Sequence, residues 1–187
     1  MDFLRRARPG PLKKMELLIP GLILVALMIY ASTRIKRSAA RAFEAETIET
    51  DEFVIQKPEG FLNVIGGDPK FVFEAYSKDF GGGGGAENIR RATANIVVKD
   101  NSSIEIIATD ILNSGGKFVD DRTDQIGGIN YRVIEHIVTG ENADLRVLSK
   151  LAERDARVFA LTITVIREPN PEFMRNIEAM LDSFELK

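Results

Sequence analysis

The sequence has no cysteine and a single histidine, His136. Without thiols there is no disulfide framework and no lipid-modified cysteine at a leader junction, and either redox compartment is permitted. One histidine with no cysteine leaves no spacing from which a zinc site could be built. His136 sits inside Val133–Val138, a segment of alternating character, and reads as a structural strand histidine. A role as base or ligand would need a nucleophile or metal partners that the sequence does not supply. There is also no internal repeat. The five consecutive glycines Gly81, Gly82, Gly83, Gly84 and Gly85 lack the Lys-Ser/Thr pair of a phosphate loop and are followed by Ala86-Glu87-Asn88. They read as a flexible loop between two strands, because five glycines cannot hold one conformation cheaply.

Long apolar runs are also scarce, and the one present is the strongest constraint on location. Leu17 to Thr33 carries no charge. Its apolar members are Leu17, Leu18, Ile19, Leu22, Ile23, Leu24, Val25, Leu27, Met28, Ile29 and Tyr30. Met15 to Thr33 is 19 residues, or roughly 28 Å as a helix, against a hydrocarbon core of about 30 Å. Glu16 lies at the end, and Pro20 and Gly21 fall early in the helix, where a missing donor does least harm. Lys13 and Lys14 precede the run, and Arg34, Lys36 and Arg37 follow it, which places them beside lipid headgroups. This predicts a single membrane-spanning helix over 15–34 rather than a buried core helix. A cleaved leader is disfavoured, since the small-residue site Ala40-Arg41-Ala42 lies behind the basic cluster. Five basic residues before the run against four after it favour a large domain outside the cytoplasm, the cytoplasmic face being the alternative.

Charge divides the chain. Residues 1–42 have a net charge of +7 and residues 43–187 a net charge of −10. The acidic part repels nucleic acid. The predicted organisation is a basic tail over 1–14, the span over 15–34, a helical extension with an acidic tether over 35–52, and one domain over 53–187. A calcium or basic-partner site in 46–52 has no further support.

Within that domain the pattern predicts strands at 53–57, 71–76, 92–99, 118–125, 130–138, 145–151 and 157–166. A helix follows Asn101-Ser102-Ser103, with Ser102 and Glu105 at capping-box spacing, and stops at Gly115-Gly116. Both faces of Arg157–Ile166 are apolar enough to be covered, which predicts a central strand. The final helix, capped by Asn170 with Pro171 at its first position, carries Phe173, Ile177, Met180, Leu181 and Phe184 on one stripe. Short turns make the sheet mostly antiparallel, and a helix on each side makes an α/β fold, a three-layer α/β/α sandwich. Asp120 and Asp124 share a face, with Arg122 between them. They read as a solvated edge, or as a weak calcium site whose spacing does not match the calcium-loop pattern.

Phe53-x-Ile-x-x-Pro58-x-Gly60-Phe61, Asn130-Tyr131-Arg132, Arg157-Val-Phe-Ala-Leu-Thr-Ile-Thr164 and the closing Asp182-Ser183-Phe184 together resemble PsbP-like domains over about residues 53–187. That Mog1p/PsbP-like fold is shared by the extrinsic lumenal subunit of photosystem II, a yeast Ran-binding transport factor and several bacterial periplasmic proteins. The resemblance implies a non-enzymatic domain, with no cofactor, that binds or steadies a protein partner or membrane complex. The span and the glycine loop depart from the photosystem subunit, so its photosynthetic role is not implied. The alternative is a small-ligand or Ca-binding domain, or a weak hydrolase, using a sheet–helix cleft.

Overall fold

The computed structural model describes residues 11–81, 89–140, 143–166 and 170–187, and within 11–20 it describes only the helical backbone. The chain divides into two compact units, Met1–Arg41 and Ala42–Lys187.

The described part of the first unit belongs to helix α1, Pro11–Ala42, 32 residues long. Its described large apolar side chains are all more than half exposed, from Val25 at 51% to Ile35 at 69%. Among the described residues no helix is long and apolar enough to cross a membrane. The expected span over 15–34 is therefore not established by the fold. Met15 to Pro20 contribute only backbone, and from Arg34 onward α1 is charged.

In the second unit the expected acidic tether is instead a strand, β1 (Glu46–Glu49). It pairs antiparallel with β2 (Phe53–Lys57), placing Glu46 opposite Lys57. Ile48 packs against the core, and the flanking acids stay in water, which is how an exposed edge strand is kept soluble. β3 (Phe61–Asn63), β4 (Phe71–Ser77) and β5 (Ala92–Asp100) follow, then α2 (Ile104–Asn113). The chain continues through β6 (Lys117–Ile126), β7 (Ile129–Thr139), β8 (Asp144–Arg154), β9 (Arg157–Ile166), α3 (Pro171–Asp182) and β10 (Glu185–Leu186).

Every strand pair is antiparallel. Seven strands form one sheet in the order β3-β4-β5-β9-β8-β7-β6, and β1-β2-β10 form a second. β9 is the central strand, as its two apolar faces require. Phe159, Leu161, Ile163 and Val165 join Ile177, Met180 and Leu181 of α3 in the larger core, with Phe184, expected on that helix, lying just past its Ser183 cap. Val158 and Ala160 point the other way, onto Ile104 and Ala108 of α2. Helices thus cover both faces of the sheet. In the PsbP-like opening motif, Phe53, Ile55 and Phe61 are all buried, and Gly60 takes φ 86° in the turn between β2 and β3.

Two local expectations change. The N-cap of α2 is Ser103, whose Oγ accepts the Ile106 N–H. Extended backbone at Ser103 starts the helix one residue after Ser102, so the Ser102–Glu105 capping box does not form. The short strands β3 and β10 carry no alternation long enough to be read in sequence. At the other end of α2, Gly116 takes φ 134°, and a Cβ there would meet the Ile137 carbonyl oxygen at 2.8 Å. Backbone approach, besides helix termination, requires glycine at this position.

Candidate functional site

A cleft of about 840 Å³ opens at one end of the α2 face. The first turn of α2 forms one wall, and the turns joining β6 to β7 and β8 to β9 form the rim. Its charged lining is Glu105, Asp121, Arg132, Glu153, Arg154 and Asp155. Strand alternation and register create it. Arg132 lies two residues from Ile134 and so faces α2, and Asp121 is paired across from Ile134.

Arg132 grips Asp121 with two hydrogen bonds, Nε to Oδ1 at 2.9 Å and Nη2 to Oδ2 at 2.7 Å. These bonds hold the Asp121 carboxyl below the usual range and raise the Arg132 guanidinium above its own. Both shifts strengthen the charged forms, as in a structural ion pair. Glu153 Oε2 accepts the Ile104 N–H at 3.2 Å, satisfying an orphan donor at the α2 N-terminus. Arg154 and Asp155 approach to 3.7 Å at the rim. Four carboxylates against two guanidiniums leave the cleft acidic. Asp155 and Ala156, both non-glycine, take φ 56° and 58° in the β8–β9 turn.

Of the groups pushed toward their neutral forms, Lys150 and Tyr131 meet, whereas Lys57 and His136 have separate surroundings. Burial lowers Lys57, Lys150 and His136 and raises Tyr131. Lys150 Nζ lies 4.8 Å from the Tyr131 ring and donates to the Asp182 carbonyl at 3.0 Å, on the α3 face. The Tyr131 hydroxyl accepts the Leu186 N–H at 2.9 Å. His136 is on the α2 side, and its buried Nδ1 has no hydrogen-bond partner among the described residues. Lys57 Nζ donates to the carbonyls of Ala42, Glu44 and Phe61. It fastens the segment that leads into β1, where sequence alone suggested a free tether.

Other expected site residues fall as follows. Leu22, Ile23, Leu24, Val25, Leu27, Met28, Ile29 and Tyr30 are exposed along α1. The side chains of Lys13, Lys14, Leu17, Leu18 and Ile19 lie outside the described residues. Arg34, Lys36 and Arg37 are exposed, and the Arg34 guanidinium lies 5.7 Å from the Tyr30 ring. Gly81 donates its N–H to the Ile89 carbonyl at 2.9 Å, whereas Gly82, Gly83, Gly84 and Gly85 lie outside the described residues. Asp120 and Asp124 do flank Arg122, at 3.2 and 3.7 Å. Among the described residues no group of three or more His, Asp or Glu side chains is placed to hold a metal ion.

The sequence did not single out Glu105, Arg132, Glu153 or Arg154 as a group. Their spacing in the chain carries no motif, and only the β6–β7–β8 register brings them together.

No family model matches the sequence, and no curated protein matches it significantly. Solved structures do. LpqN of Mycobacterium tuberculosis, described as involved in cell envelope biogenesis, aligns with a TM-score of 0.53 at 8% identity, over 77% of this chain and 91% of its own. Cyanobacterial PsbP from Synechocystis gives 0.51 at 10% identity, over 77% and 92%. The Saccharomyces cerevisiae Ran-binding protein Mog1p gives 0.50 at 10% identity, over 77% and 96%. At these identities the likeness is one of fold, and on that ground the antiparallel α/β unit that follows α1 is a domain of PsbP/Mog1p-like fold.

Proposed function

We propose that this chain is a single-pass membrane-anchored, non-enzymatic interaction module, which presents an acidic PsbP-like domain near the bilayer to bind or stabilise a protein partner. The observation that carries the anchor is the run of apolar side chains on α1, exposed on every side of the helix from Leu22 to Tyr30. Water is a poor solvent for such a surface and lipid a good one. Arg34, Lys36 and Arg37 then meet anionic headgroups, each adding about 1 kcal/mol. The basic excess before the run favours a domain outside the cytoplasm.

Protein binding is the reading favoured for the domain. Its structural neighbour Mog1p is a Ran-binding protein, and the net charge of −10 over residues 43–187 suits a basic protein surface better than nucleic acid. Lys150 and Tyr131 meet, but Lys57 serves the segment before β1 and His136 faces α2, and an enzyme would gather such perturbed groups at one concave site.

Alkaline carbonate washing of vesicles holding the full chain tests the anchor: retention is expected, and release overturns it. Crosslinking in native membranes tests the partner: one stoichiometric complex is expected, and a clean monomer overturns it. A second reading, a small polar ligand in the α2 cleft, is favoured by the volume and acidic lining of that cleft. It would become the better account if the anchor holds and no partner is recovered.

A further inference from the structure

The seven-stranded sheet ends very differently at its two edges. At one edge β3 is only three residues long. At the other, β6 runs for ten residues and pairs on one side only, with β7. Among the described residues no strand pairs with the outer side of β6. A strand of this length presents a row of unsatisfied backbone donors and acceptors, which is a template for another chain.

The side chains of β6 say what kind of chain. Register places Asp120, Arg122 and Asp124 opposite Glu135, Val133 and Tyr131, on the α3 face. Arg122 lies 3.2 Å from Asp120, 3.7 Å from Asp124 and 4.0 Å from Asp182. One guanidinium faces three carboxylates here; counting also Lys150 and Glu185, which act on the same group, and the exposed Lys117 at the start of the strand, a surplus of one negative charge remains. Arg122 and its three carboxylates are about half exposed or more, so the surplus is accessible. At the start of the strand, Phe118 and Val119 are apolar and exposed, at 54% and 44%. Asp121 adds nothing to the surplus, because Arg132 neutralises it.

We infer that β6 accepts an extended, basic segment of a partner protein as an added strand. Its lysines or arginines meet Asp120 and Asp124, and its apolar residues cover Phe118 and Val119. The irregularity between Phe118 and Asp120 and the strand's charges block indiscriminate pairing, as is common at natural edges. The same charges select a complementary strand. A second copy of this chain fits poorly, because pairing β6 with β6 would bring the surplus carboxylates together. The inference concerns a different surface from the α2 cleft and does not depend on the membrane anchor.

Hydrogen exchange on the full chain in detergent micelles tests it, with two probes supplied in large excess: a short peptide alternating lysine and valine, and its glutamate counterpart. The lysine peptide is expected to slow exchange in 117–126 by about tenfold, with no slowing by the glutamate peptide. The double substitution Asp120→Lys with Asp124→Lys is expected to reverse that preference. Should that protein not fold, the single substitution Asp124→Asn is expected to weaken the lysine peptide's effect. Slowing by both peptides alike, slowing confined to other strands, no slowing by either, or a doubled mass without peptide would each overturn the inference.

Discussion

The α3 face of the large sheet buries Phe159, Leu161 and Ile163 to 1% exposure or less, beneath a helix and a second sheet. The opposite face seals only a small cluster around Ile104 and Ala108. Beyond that cluster it is occupied by the Asp121–Arg132 pair, the cleft and the buried His136. The α3 face holds the fold together by apolar burial, which scales with area and is indifferent to detailed chemistry. The α2 face is less completely covered and leaves polar groups concave and reachable. In this domain the incompletely covered face is the one that holds the cleft, apart from the β6 edge.

Truncation at matched depth gives the largest test of that contrast. Phe159→Ala should cost about 3–5 kcal/mol in urea unfolding. Ile104→Ala should fall at the lower end of the range for aliphatic truncations, about 2 kcal/mol, because its cluster is small and near the cleft. Equal losses would mean that both faces support the fold alike.

Lys57→Met tests whether buried polarity on the α3 side is structural. Three carbonyls lose their shared donor, so a loss of about 2–3 kcal/mol is expected. Hydrogen exchange in 43–49 should rise at the same time. An unchanged midpoint would show that the segment leading into β1 is held by packing alone.

On the α2 side, His136 is the corresponding buried polar group. Burial lowers its folded pKa, so below about pH 6.5 the unfolded chain takes up a proton that the native one refuses. Stability contributed at higher pH is therefore lost as pH falls from the unfolded value toward the lowered folded one. Removing the imidazole with His136→Leu should flatten this part of the profile, whose slope cannot exceed about 1.4 kcal/mol per pH unit. An identical slope in the variant would place the titration elsewhere.

The smallest effect concerns the cleft rim. Ala156 sits at φ 58°, a region where an alanine side chain is strained and glycine is not. Ala156→Gly should stabilise the domain by about 0.5–1 kcal/mol, seen as a higher urea midpoint. A loss would mean that neighbouring contacts of the Ala156 methyl outweigh the backbone strain.

Much of the fold was legible in the chain. The alternation of Arg157–Ile166 identified the central strand, and the Phe173–Phe184 stripe identified the helix that covers it, because each pattern repeats over enough residues to stand above chance. Glu46–Glu49 was not legible as a strand. Its acids suit a solvated linker equally well, and only pairing with Phe53–Lys57 decides between the two. The Lys57 carbonyl cage was hidden for the same reason, since one lysine at a strand end carries no signature.

By itself the sequence determined the order of the longer strands and of the helices, the two apolar faces of β9 and the separation of a basic, apolar-rich beginning from an acidic domain. These are local periodicities and charge sums, fixed before any long-range contact forms. The tertiary structure alone decided that, among the described residues, β6 ends the sheet, that Asp121 meets Arg132, and that α2, β7 and β8 enclose a cleft. Those facts depend on register between segments far apart in the chain, and a shift of one residue would turn each side chain to the opposite face.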